Sequence, residues 1–270
     1  MSVVAFGDYN MDGVNKLLSK SKVNLTYFYY LLKNKINKEF GMITNVETDK
    51  PLVAMTFDDG PDPIYTPMLL KVFKEFKAQG TFFMVGNGAL KYKSIVYEAA
   101  KDGHDIGNHT MDHISMLSVG RRERWKQIIM CKKALFPYGQ GYFRPPYGAQ
   151  NGLSNIDAVI LGYQPIGWNI DVDDWRNGDL ISMAEGIRRQ ITSGCIILFH
   201  DRIYDQGNPK HKKADQLAYL KRDATVKLVE LLLREFRDRF QFVTISEMLK
   251  NGKARRKHNG KSEYNTIPVT

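Results

Sequence analysis

His109 and His113, in His109-Thr110-Met111-Asp112-His113, stand four residues apart and downstream of a carboxylate pair, Asp58-Asp59. On a helical turn that spacing puts both imidazoles on one face, where they can share a cation at about 2.0–2.1 Å per bond. Asp58 and Asp59 end an apolar run and precede Gly60-Pro61-Asp62-Pro63, a turn that cannot continue a strand. Adjacent strand side chains diverge, so one carboxylate can bind metal while the other serves a different partner. Two imidazoles, one carboxylate and open positions suit a zinc hydrolase, and equally a non-haem iron oxygenase. The plainer reading is an acidic turn and an exposed helix with two solvated histidines.

Three further motifs follow. Arg144-Pro145-Pro146-Tyr147-Gly148 joins a fork-shaped cation to a stiff loop suited to presenting a backbone N–H. Asp174 directly precedes Trp175 in Asp171-Val172-Asp173-Asp174-Trp175. His200 follows an apolar run in Leu198-Phe199-His200-Asp201, an odd place for a solvated histidine. Each admits a structural explanation: a surface arginine before a proline corner, a core histidine bonded to a carbonyl, and ordinary core for Trp175 and Leu198. Asp58 and Asp174 could also form a glycosidase pair with the histidines structural, which leaves the His109/His113 spacing unexplained.

In this order the five motifs resemble the polysaccharide deacetylase family, the NodB-homology carbohydrate esterases of family 4, over roughly residues 51–250. The resemblance implies a distorted (β/α)7 barrel in which Asp59, His109 and His113 bind a divalent metal, zinc before cobalt, nickel or iron. It implies Asp58 as general base oriented by Arg144, and a Tyr147 N–H that completes an oxyanion hole. His200 would be the general acid, paired with Asp174. Trp175 and Leu198 would wall the acetyl pocket, with Pro146 and Tyr147 also against the substrate. The implied reaction removes N-acetyl groups from a GlcNAc-containing glycan such as chitin, chitooligosaccharide, peptidoglycan or poly-N-acetylglucosamine. O-acetyl esterase activity on xylan and a non-catalytic glycan-binding barrel are the alternatives. No motif position is missing; the departures are an N-terminal extension, the lack of an export signal and a polar stretch from Arg202 to Lys221.

The positioning elements are legible as an alternation that begins at Pro51. Apolar runs at Leu52–Phe57, Thr81–Val85, Tyr142–Arg144, Gln164–Asn169, Cys195–Phe199 and Gln241–Thr244 read as strands, with a short segment at His104–Gly107. Helical patterns at Met68–Ala78, Lys91–Lys101, Arg121–Phe136, Asn155–Leu161, Leu180–Ile191 and Ala224–Arg239 lie between them. Repeated strand–helix units imply parallel strands with helical crossovers, and every motif falls at or just after a strand's C-terminal end, the catalytic face of barrel enzymes. Three segments result: an N-terminal helical extension at 1–50, a catalytic domain at 51–250 and a basic, frayed tail at 251–270.

The 270 residues are 43% hydrophobic and 25% charged, enough for a sizeable core. The net charge of +10 is spread along the chain, which favours a solvated basic surface over a nucleic-acid site. Cys131 and Cys195 lack the neighbours of a redox or zinc-knuckle motif. Leu25–Leu32 is too short to span a bilayer, and Lys33-Asn34-Lys35 follows it where a small-residue cleavage site would stand. The chain as written therefore reads as cytoplasmic, and as extracytoplasmic if a leader has been removed. Asp8 to Gly13 imitates a calcium loop, but Ser19 occupies the twelfth position, where a bidentate carboxylate is required.

Overall fold

A computed structural model describes residues 40–176, 179–204 and 221–257. The helix expected over Val14–Lys38 and most of the polar stretch after Arg202 lie outside the described residues. In chain order the elements are β1 (Met42–Glu47), β2 (Leu52–Asp58), α1 (Tyr65–Glu75), β3 (Thr81–Met84), α2 (Gly86–Lys91), α3 (Lys93–Lys101) and β4 (Asp105–Asn108). They continue with α4 (Arg121–Leu135), β5 (Gly139–Phe143), α5 (Gly152–Ile160), β6 (Gln164–Pro165), β7 (Ile170–Asp171) and α6 (Leu180–Arg188). The last are β8 (Ile196–His200), α7 (Asp223–Phe236), β9 (Gln241–Phe242), α8 (Ile245–Lys250) and β10 (Lys253–Lys257).

The main sheet is parallel in the order β6-β5-β4-β3-β2-β8-β7, with β9 added beside the start of β2. Its helical crossovers make a distorted (β/α)7 barrel, as the motif order implies. β2 is central and buried throughout, so both of its faces are apolar. Val53, Met55 and Phe57 face the helix layer, while Leu52 and Ala54 join the inner cluster with Ile43, Phe83, Ile166 and Ile196. Phe57 stacks between Phe82 at 4.9 Å and Phe199 at 5.4 Å, with Phe73 edge-on at 5.7 Å, tying three adjacent strands to α1. Burying each such ring is worth about 1.5–3 kcal/mol.

The structure corrects both outer domain boundaries. β1 lies within the segment assigned to a helical extension, and it pairs antiparallel with β10 in the segment assigned to a frayed tail. β1 also closes the barrel seam: Ile43 bridges Ile166, Asn45 bridges Cys195, and the Val46 N–H donates to the Gly194 carbonyl at 2.9 Å. The physical reason is that a two-stranded ribbon satisfies its hydrogen bonds pairwise, and the partners lie some two hundred residues apart, beyond any local pattern. Met42, Ile43 and Val46 are fully buried because the seam would otherwise expose the inner core.

Smaller differences concern boundaries. α1 begins at Tyr65 because the Asp62 carboxylate accepts from the N–H groups of Ile64 and Tyr65 at 2.8 and 2.9 Å. The Gly86-Asn87-Gly88 segment opens α2. Both cysteines are buried thiols. Among the described residues no helix is long and apolar enough to cross a membrane.

Candidate active site

The parallel strands deliver their chemistry at their C-terminal ends. Asp58 is the last residue of β2, His109 follows β4, Arg144 follows β5, and His200 ends β8 in register with Asp58. Asp58, Asp59, His109, His113 and His200 open onto one cavity of about 630 Å3.

Asp59, His109 and His113 are buried and converge, with their ligand atoms all within 4.8 Å of one another. His113 Nε2 lies 2.9 Å and His109 Nε2 3.3 Å from Asp59 Oδ1. Tetrahedral bonds of about 2.0–2.1 Å place ligand atoms about 3.3 Å apart, so the set fits a small divalent ion. His109 Nδ1 lies 2.8 Å from the Arg144 carbonyl, which can only accept; the ring therefore donates there and directs the Nε2 lone pair at the cluster. The Asp59 Oδ2 oxygen accepts from the Tyr204 N–H at 3.0 Å. Burial alone would raise the Asp59 carboxyl, but His113 and His109 outweigh it and hold it well below the ordinary carboxylate range.

The route to this convergence differs from the one the spacing suggested. His109 to His113 is not a helical turn. The segment is an irregular loop after β4, with Thr110 at φ 67 and His113 at φ 55 in the left-handed region. The loop is pinned by Asp112, whose carboxylate accepts from Asn87 at 2.5 Å and Gln127 at 2.6 Å while its N–H donates to Gln127 Oε1 at 2.9 Å. Strand alternation does not separate the two aspartates either. Asp59 has left the strand at φ 74, and both carboxylates reach the same site, with Asp58 Oδ2 3.9 Å from His109 Nε2.

Asp58 has its own partner. Arg144 is fully buried and donates from Nη1 to Asp58 Oδ1 at 2.7 Å and to Thr56 Oγ1 at 2.8 Å. Its remaining N–H groups reach the carbonyls of Ile166 at 3.2 Å and Gly167 at 2.8 Å. Burial lowers the guanidinium below its ordinary value, and Asp58 offsets only part of that. Each guanidinium nitrogen thus has an acceptor, and removing either partner of the pair would strand a buried charge.

His200 Nδ1 lies 2.8 Å from Asp174 Oδ1, and the His200 N–H donates to Asp174 Oδ2 at 2.9 Å. Thr225 Oγ1 and the Arg222 guanidinium donate to the Asp174 carboxylate and carbonyl at 2.9 and 2.8 Å. Burial would lower the His200 imidazolium, but Asp174 outweighs it, helped by Asp59 and Asp58, and the pKa rises to about 9.

Tyr147, Trp175 and Leu198 line the cavity, while Pro146 is buried and does not. Pro146 directly precedes Tyr147, which turns left-handed at φ 61. Sequence reasoning missed Trp168 and Tyr204, which also line the cavity, and the Thr225 and Arg222 support of Asp174. Nothing in their local sequence marks them; only the barrel brings them to the site.

A parallel barrel with an acid–imidazole cluster and a carboxylate–histidine pair at one strand end has the layout of a barrel enzyme's catalytic face. The polysaccharide deacetylase family model matches residues 45–166. A peptidoglycan-N-acetylglucosamine deacetylase of Bacillus cereus is 33% identical over 224 residues, covering 82% of this chain and 98% of that protein. A chitooligosaccharide deacetylase of Sinorhizobium fredii is 30% identical over 196 residues, 71% of this chain and 88% of that protein. A crystal structure of a peptidoglycan N-acetylglucosamine deacetylase superposes with a TM-score of 0.67 at 27% identity, covering 78% and 94% of the two chains. The chain belongs to the polysaccharide deacetylase family.

Proposed function

We propose that this protein is a metal-dependent deacetylase that hydrolyses the N-acetyl groups of a GlcNAc-containing glycan. Asp59, His109 and His113 would hold the cation, zinc first, with cobalt, nickel or iron as alternatives. A divalent ion there would acidify a water and polarise the acetyl carbonyl. Asp58, held by Arg144 and close to His109, takes the water's proton. The Tyr147 N–H, presented by the proline-stiffened loop, donates to the carbonyl oxygen as it gains charge; one such donor is worth about 2.7–4 kcal/mol in comparable hydrolases. His200 gives its proton to the amide nitrogen as the C–N bond breaks, so the products are acetate and a free amine. Trp175 and Leu198 supply an apolar wall for the acetyl methyl.

The observation that carries this reading is that the Asp59–His109–His113 cluster shares one cavity with His200, whose ring is held by Asp174 at 2.8 Å. A protonated acid matters most for an amine leaving group, which favours amide over ester hydrolysis. The relatives named for peptidoglycan and chitooligosaccharide support the glycan class. Acetate release from both substrates and from acetylated xylan tests the reading. Activity should appear on the amide substrates and vanish in His113→Ala and Asp58→Asn. Full activity in either variant would exclude the mechanism, and release from xylan alone would make the protein an O-acetyl esterase.

A further inference from the structure

Trp168 belongs to none of the motifs, yet it touches two of them. Its ring lies 5.4 Å from the Arg144 guanidinium, which also sits 4.2 Å from the Phe83 ring. The two residues before it, Ile166 and Gly167, supply the carbonyls that accept from Arg144. Trp168 also abuts the proline loop: a Cβ added to Gly148 would lie 2.8 Å from the indole Cη2. Gly148 at φ 59 follows Tyr147 at φ 61, two left-handed residues in succession, a shape that needs external support. The segment is itself pinned: the Ile166 N–H donates to Phe143 on β5 at 2.8 Å, and Asn169 exchanges bonds with Ile196 on β8 at 2.8 and 3.1 Å.

We infer that Trp168 is a positioning residue that registers the Asp58–Arg144 pair and the Tyr147–Gly148 loop against a single ring. Through one face it sets the guanidinium that aims the Asp58 carboxylate. Through its rim it sets the loop whose N–H meets the carbonyl oxygen. Base and donor thus keep a fixed separation, and a misplacement near 1 Å in such geometry costs about a hundredfold in rate. The inference rests on the deacetylase reading above. Because Trp168 also lines the cavity, a plain sugar-stacking platform is the competing role.

Steady-state acetate release from N-acetylated chitooligosaccharide separates the two, using wild type, W168A, W168F, R144K and R144K/W168A. Positioning predicts that W168A lowers kcat by about tenfold or more with KM within about threefold, and that W168F recovers most of the loss. It also predicts non-additivity: in the R144K background, W168A should cost less than about threefold further. A raised KM with unchanged kcat overturns the inference in favour of a platform, and losses that multiply in the double variant overturn the coupling to Arg144. If W168A does not fold, W168L and W168F carry the same cycle. An active wild type with silent Trp168 variants sinks this inference alone, whereas a wild type inactive on every acetylated glycan sinks the deacetylase reading with it.

Discussion

Asp174→Asn keeps the shape of the carboxylate that faces His200 and removes its charge. In the native site burial lowers the His200 pKa, and Asp174 reverses this by charge and by the 2.8 Å hydrogen bond, leaving a value of about 9 against an ordinary 6.5. Asp59 and Asp58 also contribute, but a bound cation would offset their charges and leave Asp174 as the decisive partner. Without that charge, burial is unopposed and the pKa should fall to 6.5 or lower. At pH 7.5 the protonated fraction would then drop from over about 95% to about 10% or less, a loss of about tenfold in kcat from proton occupancy alone. The sign follows directly: the acid form is the active one, so the alkaline limb of the kcat profile should move down by about two pH units or more. Activity lost at pH 7.5 should partly return near pH 6. The assay is acetate release across pH 5.5–10 for both proteins at fixed metal concentration. An alkaline limb that stays in place in the variant would refute the assignment of His200 as the proton donor.

Three other outcomes are expected. Stripping metal and restoring zinc at one hundred times its dissociation constant should add about 2.7 kcal/mol of stability, or about 5–10 °C in the melting temperature; an equal rise in Asp59→Ala would place the metal elsewhere. His104 accepts the Gly80 N–H at 3.0 Å, and burial lowers its pKa to about 4, so the unfolded chain binds more protons than the folded one between about pH 6.5 and 4. Stability should therefore fall by up to about 3 kcal/mol as pH drops through that window, and His104→Gln should flatten the slope in denaturant melts. Gly60→Ala would place its Cβ on the buried Asp201 carboxylate, which Thr66 holds. An overpacking loss of about 1–3 kcal/mol with reduced kcat should follow, and unchanged melting and turnover would show that Asp201 yields freely.

The local sequence carried most of the alternation from β2 to β8, because buried parallel strands are short apolar runs and their helices carry a 3.6-residue period, but it read one strand over Gln164–Asn169 where β6 and a separate β7 stand. It also determined which residue types stand at the strand ends, since chemistry there depends on spacing that the chain carries in one dimension. What it left open was everything decided by partners distant along the chain. The β1–β10 ribbon that seals the barrel joins residues 42–47 to residues 253–257, and neither segment announces the other. The two histidines meet through left-handed residues in a loop clamped by Gln127, where their spacing alone suggested a helix. Trp168, Thr225 and Arg222 reach the site only because strand order brings the segment between β6 and β7, the end of β8 and the start of α7 together. A motif names the groups that can react, but their distances come from closing the barrel, because the backbone hydrogen bonds and inner packing that fix them belong to the sheet as a whole.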